Sequence, residues 1–149
     1  MEFKLTTKNE NETIELAQNI ETEKFPNMLI CLNGELGSGK TMFAKGFANA
    51  MGINESVTSP TFCIIKEYEG QLPLYHIDVY RLDGKIEGLD LDEYLTKNGV
   101  VIIEWADTIK EYLPKERLDI DIKIVGENKR IIVLKPHGEK YLDLCEAVV

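Results

Sequence analysis

Apolar and polar residues alternate most strictly at Leu118–Ile124, "LDIDIKI", which predicts a half-buried strand. The turn "GENKR" then sends the chain back into "IIVLKP", so the two segments form a predicted antiparallel hairpin. "NMLICLNG" and "VVIIEW" are apolar without alternation, a pattern typical of strands covered on both faces. A period near 3.6 marks "NENETIELAQNIE", where Ile14, Leu16, Ala17 and Ile20 share a face and Asn9 with Glu12 fits a capping box. The same period places Phe43, Ala44, Phe47 and Ala50 on one side of a helix from Lys40 to Met51, stopped by Gly52. "TFCIIKEYEG" and "LPLYHIDVYRL" are two strands joined by a short turn at Gly70-Gln71, a second predicted hairpin. Shorter elements complete the chain: an extended start at Phe3–Thr6, a loop over Ile53–Pro60, a helical piece at Leu89–Lys97, and a short helix "ADTIKEYLP" closed by Pro114. Residues 1–149 therefore read as a single α/β domain, with a parallel core extended by antiparallel strands.

The junction between strand "NMLICLNG" and the helix from Lys40 carries chemistry. It reads Gly34-x-x-x-x-Gly39-Lys40-Thr41, the spacing of a Walker A loop, in the strand–loop–helix context that the motif requires. Such a loop surrounds phosphates with backbone N–H groups, and its glycines permit the close approach. Lys40 is placed to reach the β- and γ-phosphates, and the Thr41 hydroxyl to ligate Mg²⁺. A Mg²⁺–triphosphate site also needs a carboxylate at a neighbouring strand end. Glu104 closes "VVIIE" after four apolar residues, in the form of a Walker B acid. Asp78 in "LYHIDVY" is the second candidate, on a strand whose period puts His76, Asp78 and Tyr80 on one face. In "VTSPTF", Pro60 stiffens the turn before Thr61; it either presents the hydroxyl at a loop tip, as a nucleotide-sensing switch needs, or makes a rigid turn with no ligand contact, which these residues alone favour. His76 alone reads as a hydrogen-bonded structural residue, and Tyr80 as a packing aromatic.

Composition narrows the partners. Seventeen Lys and Arg against twenty-six Asp and Glu leave a formal charge of −9, so the chain has no general attraction for nucleic acid, and any RNA should be served through a partner. Cys31, Cys63 and Cys145 are odd in number and lack metal or Cys-x-x-Cys spacing, which argues against a disulfide framework or a zinc site. The N-terminal residues show no signal-peptide pattern and no window is long and apolar enough to span a bilayer, so a cytoplasmic protein is expected.

Among triphosphate-using classes, missing motifs argue against guanine-nucleotide switches: "TKNG" lacks the final Asp, and no Asp is followed three places on by Gly. The signature segment of transporter ATPases is also missing. A small-molecule kinase with the same loop is the alternative, but only Arg81, Arg117 and Arg130 are available to clamp a second phosphorylated substrate. A nucleotide-gated binding module, with incidental hydrolysis, is a third class.

"GELGSGKTMFAKGFA", "TSPTF", "YHIDVYRL" and "IIEWAD", in that order, resemble the TsaE family, the bacterial ATPases of tRNA threonylcarbamoyladenosine biosynthesis. The resemblance implies a three-layer P-loop NTPase fold with a mixed sheet. It implies that Gly37, Ser38, Gly39, Lys40, Thr41 and Met42 hold the phosphates of ATP, with Thr41 and Glu104 on Mg²⁺. Thr61 would act in a switch-like loop, and Asp78 would be a catalytic carboxylate that either orients water or holds metal through water. Trp105 would lie near the nucleotide, and Glu10 near the adenine or ribose. The family often has Asp where this chain has Glu35, and a small apolar residue at Ser38; neither change removes a ligand. The implied partners are TsaB and TsaD, with tRNA contacted only indirectly and no membrane. Hydrolysis would reset that transferase complex between turnovers.

Overall fold

The computed structural model of the protein describes residues 1–55, 57, 65–82, 86 and 89–149. The element order is β1 (Phe3–Thr7), α1 (Glu10–Glu21), β2 (Met28–Gly34), α2 (Lys40–Ala50), β3 (Ile65–Glu69), β4 (Pro73–Asp78), α3 (Leu91–Leu95), β5 (Val100–Glu104), β6 (Arg117–Ile124), β7 (Arg130–His137) and α4 (Glu139–Val148). Short 3₁₀ turns at Tyr80–Leu82 and Ala106–Tyr112 follow β4 and β5. Seven strands form one sheet in the order β1-β7-β6-β2-β5-β4-β3. β6, β2, β5 and β4 run parallel, while β3 pairs antiparallel at one edge and β7 with β1 at the other. The predicted mixed sheet and both predicted hairpins are present.

Strand alternation sorts the side chains of β2 between two cores. Met28, Ile30 and Leu32 face α1, α2 and α4, packing with Ile20, Phe43, Phe47 and Leu144. Leu29 and Cys31 face the other way, with Ile77, Val101, Ile103, Leu91 and Ile109. Helices therefore lie on both faces, which makes three layers. α1 and α2 pack tightly at Gly46, where a Cβ would lie 3.0 Å from Ile14 Cγ2 and 3.1 Å from the Ile14 carbonyl oxygen. At the start of α1, Asn9 Oδ1 accepts from the Glu12 amide, while Glu12 reaches back to the Lys8 amide rather than to that of Asn9. α4 has no counterpart in the expected elements. Tyr141, Leu144, Cys145 and Val148 pack it on the first core, and the Tyr141 hydroxyl accepts from the Leu29 amide at 2.9 Å. Among the described residues no helix is long and apolar enough to cross a membrane.

Candidate functional site

The parallel strands end where β5 and β6 flank β2, the position at which α/β sheets open a crevice. β2 ends at Gly34, α2 begins at Lys40, and residues 35–39 form the loop between them. Gly34 admits no side chain, since a Cβ there would lie 2.6 Å from both the Ile122 carbonyl oxygen and Ser38 Oγ. Gly37 and Gly39 have positive φ, of 80° and 113°, as the tight loop requires. Gly39 is the N-cap of α2, so the amides of Lys40, Thr41 and Met42 have no acceptor within the helix.

Lys40 is buried, and its Nζ donates to the carbonyls of Gly34 at 2.5 Å and Glu35 at 3.1 Å. The same ammonium lies 3.8 Å from the ring centroid of Trp105. Burial lowers its pKa, against the opposing pull of Glu104, Asp78 and Asp107. Parallel register aligns Leu32, Glu104 and Asp78 across β2, β5 and β4. Glu104 is buried, and its two carboxylate oxygens accept from the Thr41 hydroxyl at 3.3 and 3.4 Å. One of them also pairs with His76 Nε2 at 2.5 Å. Opposite a carboxylate Nε2 is the donor, and Nδ1 has no partner among the described residues. The histidine expected to be structural is thus hydrogen-bonded, and its partner is the candidate metal acid.

Asp78 ends β4 because its Oδ1 accepts from the Tyr80 amide at 2.9 Å, turning the chain out of the strand. The expected shared face of His76, Asp78 and Tyr80 therefore breaks after Asp78. Tyr80 lies in the 3₁₀ turn, 60% exposed, and packs its ring 4.6 Å from that of Trp105 instead of entering the core. Trp105 adopts φ 65°, uncommon for a residue with a side chain, and its amide donates to the Leu32 carbonyl at 2.9 Å. That bond curls the chain over β2 and brings the indole onto Lys40.

The structure thus gathers Gly37, Ser38, Gly39, Lys40, Thr41, Glu104, Asp78 and Trp105 at one end of the sheet. Met42 follows in the first turn of α2, partly buried. Glu10 opens α1 and is exposed, and its side chain makes no hydrogen bond or ion pair among the described residues. Thr61 and "TSPTF" lie outside the described residues. Two residues missed in the sequence hold the site from behind. Asn33 donates from Nδ2 to Asp121 Oδ1 at 3.1 Å and accepts from the Asp107 amide at 2.9 Å, which ties β2 to β6 and to the turn after Trp105. Arg130 of β7 donates from Nε to the Ser38 carbonyl at 2.9 Å and from an NH2 group to the Gly37 carbonyl at 3.4 Å. The Asn immediately before the loop was a local signal for the first. Nothing local announced the second.

A model of the family described as threonylcarbamoyl adenosine biosynthesis protein TsaE matches residues 7–132. The tRNA threonylcarbamoyladenosine biosynthesis protein TsaE of Bacillus subtilis is 48% identical over 146 residues, covering 97% of this chain and 92% of its own length. Its namesake in Treponema pallidum is 38% identical over 108 residues, covering 71% and 80%. A crystal structure of Bacillus subtilis YdiB superposes with a TM-score of 0.88 at 44% identity, covering 99% of this chain and 94% of that one.

Proposed function

The chain belongs to the TsaE family, and from that premise we propose that it is a Mg²⁺-dependent ATPase serving tRNA threonylcarbamoyladenosine biosynthesis. The observation that carries the reading is the meeting of Lys40, Thr41 and Glu104 at the first turn of α2. A hydroxyl and a carboxylate side by side suit a hard cation that keeps several water and phosphate ligands.

Each residue then has a task. The amides at the start of α2 bind phosphate oxygens, aided by the positive end of the helix dipole. Lys40 gives up the carbonyls of Gly34 and Glu35 for the β- and γ-phosphates. Thr41 and Glu104 would hold Mg²⁺, which would supply positive charge against that developing on the transferring phosphoryl oxygens. Asp78, one strand from Glu104, orients the attacking water or acts on the metal through water. Trp105 covers the Lys40 side of the pocket, Thr61 supplies the switch contact, and Glu10 belongs with the base or ribose.

In this reading transfer to tRNA takes place on TsaB and TsaD in the cytoplasm, and this chain spends ATP to reset that pair. Its net charge of −9 agrees with indirect contact to tRNA. The test is reconstitution with TsaB and TsaD, measuring tRNA modification and ATP hydrolysis together. Lys40→Ala and Glu104→Gln should each abolish turnover while the folded state survives. Multiple-turnover modification by either variant would refute the assignment. A phosphorylated small acceptor in the same assay would favour a kinase.

A further inference from the structure

We propose that Arg130 is a positioning residue for phosphate binding, holding the loop carbonyls from β7 so that the Gly39 amide faces the nucleotide. This rests on the reading of residues 34–41 as the nucleotide site. Its shorter bond, 2.9 Å, is to the Ser38 carbonyl. A trans peptide is planar, with its C=O and N–H pointing in opposite directions. Pulling the Ser38 oxygen toward Arg130 therefore turns the Gly39 N–H away from β7, toward the end of the sheet where Lys40 and Thr41 lie. The longer bond acts on the preceding peptide through the Gly37 carbonyl. There the Ser38 amide is already fixed by donation to the Glu35 carbonyl at 3.0 Å. Ser38 is itself buried against the backbone of Gly34, so the loop is held both by the end of β2 and by Arg130 of β7.

Only a guanidinium can do this. Its planar fork offers five donors in fixed geometry. While Nε and NH2 hold the loop, NH1 donates to the Lys129 and Gly126 carbonyls at 2.9 and 3.1 Å, and to that of Glu127 at 3.4 Å. One side chain thus locks the β6–β7 turn to the phosphate loop, across more than ninety residues of sequence. A lysine can satisfy one partner set or the other.

ADP titration calorimetry without divalent metal, on the full chain, isolates the loop–phosphate contact. Arg130→Met keeps the aliphatic stem and removes every donor. We expect it to weaken ADP binding by about tenfold, equivalent to ~1.4 kcal/mol. Arg130→Lys, which preserves the charge and a donor for the turn, should weaken ADP by about threefold and carries the test if the Met variant does not fold. In ATP hydrolysis both should raise KM by the same factors and leave kcat within about twofold, the signature of lost uniform binding rather than of a damaged fold. Lys129→Ala, next door on the same turn, should bind ADP as the parent does. Folded Arg130 variants with parental ADP affinity would overturn the proposal, as would an equal loss in Lys129→Ala. If the parent itself failed to bind ADP, the nucleotide reading would fall and this inference with it.

Discussion

His76→Ala offers the sharpest test of how the acid of the site is held. Glu104 is 2% exposed and His76 is 0% exposed, so removing the imidazole leaves a carboxylate oxygen buried without its nearest donor. Breaking a buried pair from one side costs about 3 kcal/mol or more, because the remaining charge stays desolvated. The Thr41 hydroxyl, at 3.3 and 3.4 Å, is too distant to replace it. For a chain of this length that loss lowers Tm by roughly 6–12 °C. Urea denaturation of the nucleotide-free protein, followed by circular dichroism, measures it. Glu104→Gln removes the charge that makes the loss expensive. The double variant should then be more stable than the sum of the singles predicts, with a coupling of roughly 2 kcal/mol. A single-variant cost below about 1 kcal/mol, or strictly additive effects, would show that the pair is not held as described.

Other measurements follow from features elsewhere. The chain's one Trp, Trp105, lies against the Lys40 ammonium, so ADP that draws Lys40 away should change tryptophan fluorescence; Lys40→Ala should abolish the response, and a signal surviving it would refute the coupling. Gly46→Ala gains about 1 kcal/mol of helix propensity, yet its Cβ would press on Ile14, so we expect a net loss of about 1 kcal/mol and a lower Tm. A stabilised variant would mean that α1 yields easily. Burial raises the Cys145 thiol from 9.0 to about 11, and burial also raises Tyr141. For an acid with a raised folded pKa, the stabilisation is complete below the unfolded pKa and is lost as pH rises toward the folded one. Stability should therefore decline between about pH 9 and 11, by roughly 2 kcal/mol from the thiol alone. Burial raises the Cys31 thiol still further, so Cys145→Ala should lessen that decline without abolishing it, and an unchanged slope would remove the Cys145 thiol as a source.

What was legible in the sequence is what depends on near neighbours. The alternation of "LDIDIKI", the doubly apolar "VVIIE" and the complete loop motif each carry their own periodicity, and each became the expected element. Asp78 shows where periodicity ends: its side chain captures the Tyr80 amide, so the strand stops inside a run whose pattern continues. α4 had a helical period in Tyr141, Leu144, Cys145 and Val148, yet only one short face of it. Its place came from a distant acceptor role, the Tyr141 hydroxyl on the Leu29 amide. The partners of His76 and Arg130 could not be read from the sequence for the same reason. Those partners lie 28 and 92 residues away, and parallel register and the β6–β7 turn bring them together. Candidate residues carried by a local motif were legible, and contacts made across the sheet were not.

The strand order has a consequence for the newly made chain. β2 and the phosphate loop leave the ribosome early, but β2 has no partner until β5 and β6 have been synthesised, and β1 waits for β7. Such non-local pairings are slow to form, and their apolar strands are exposed in the meantime. Arg130 is made after all the candidate ligands, so a nascent chain that still lacks β7 should hold nucleotide less tightly than the full chain does.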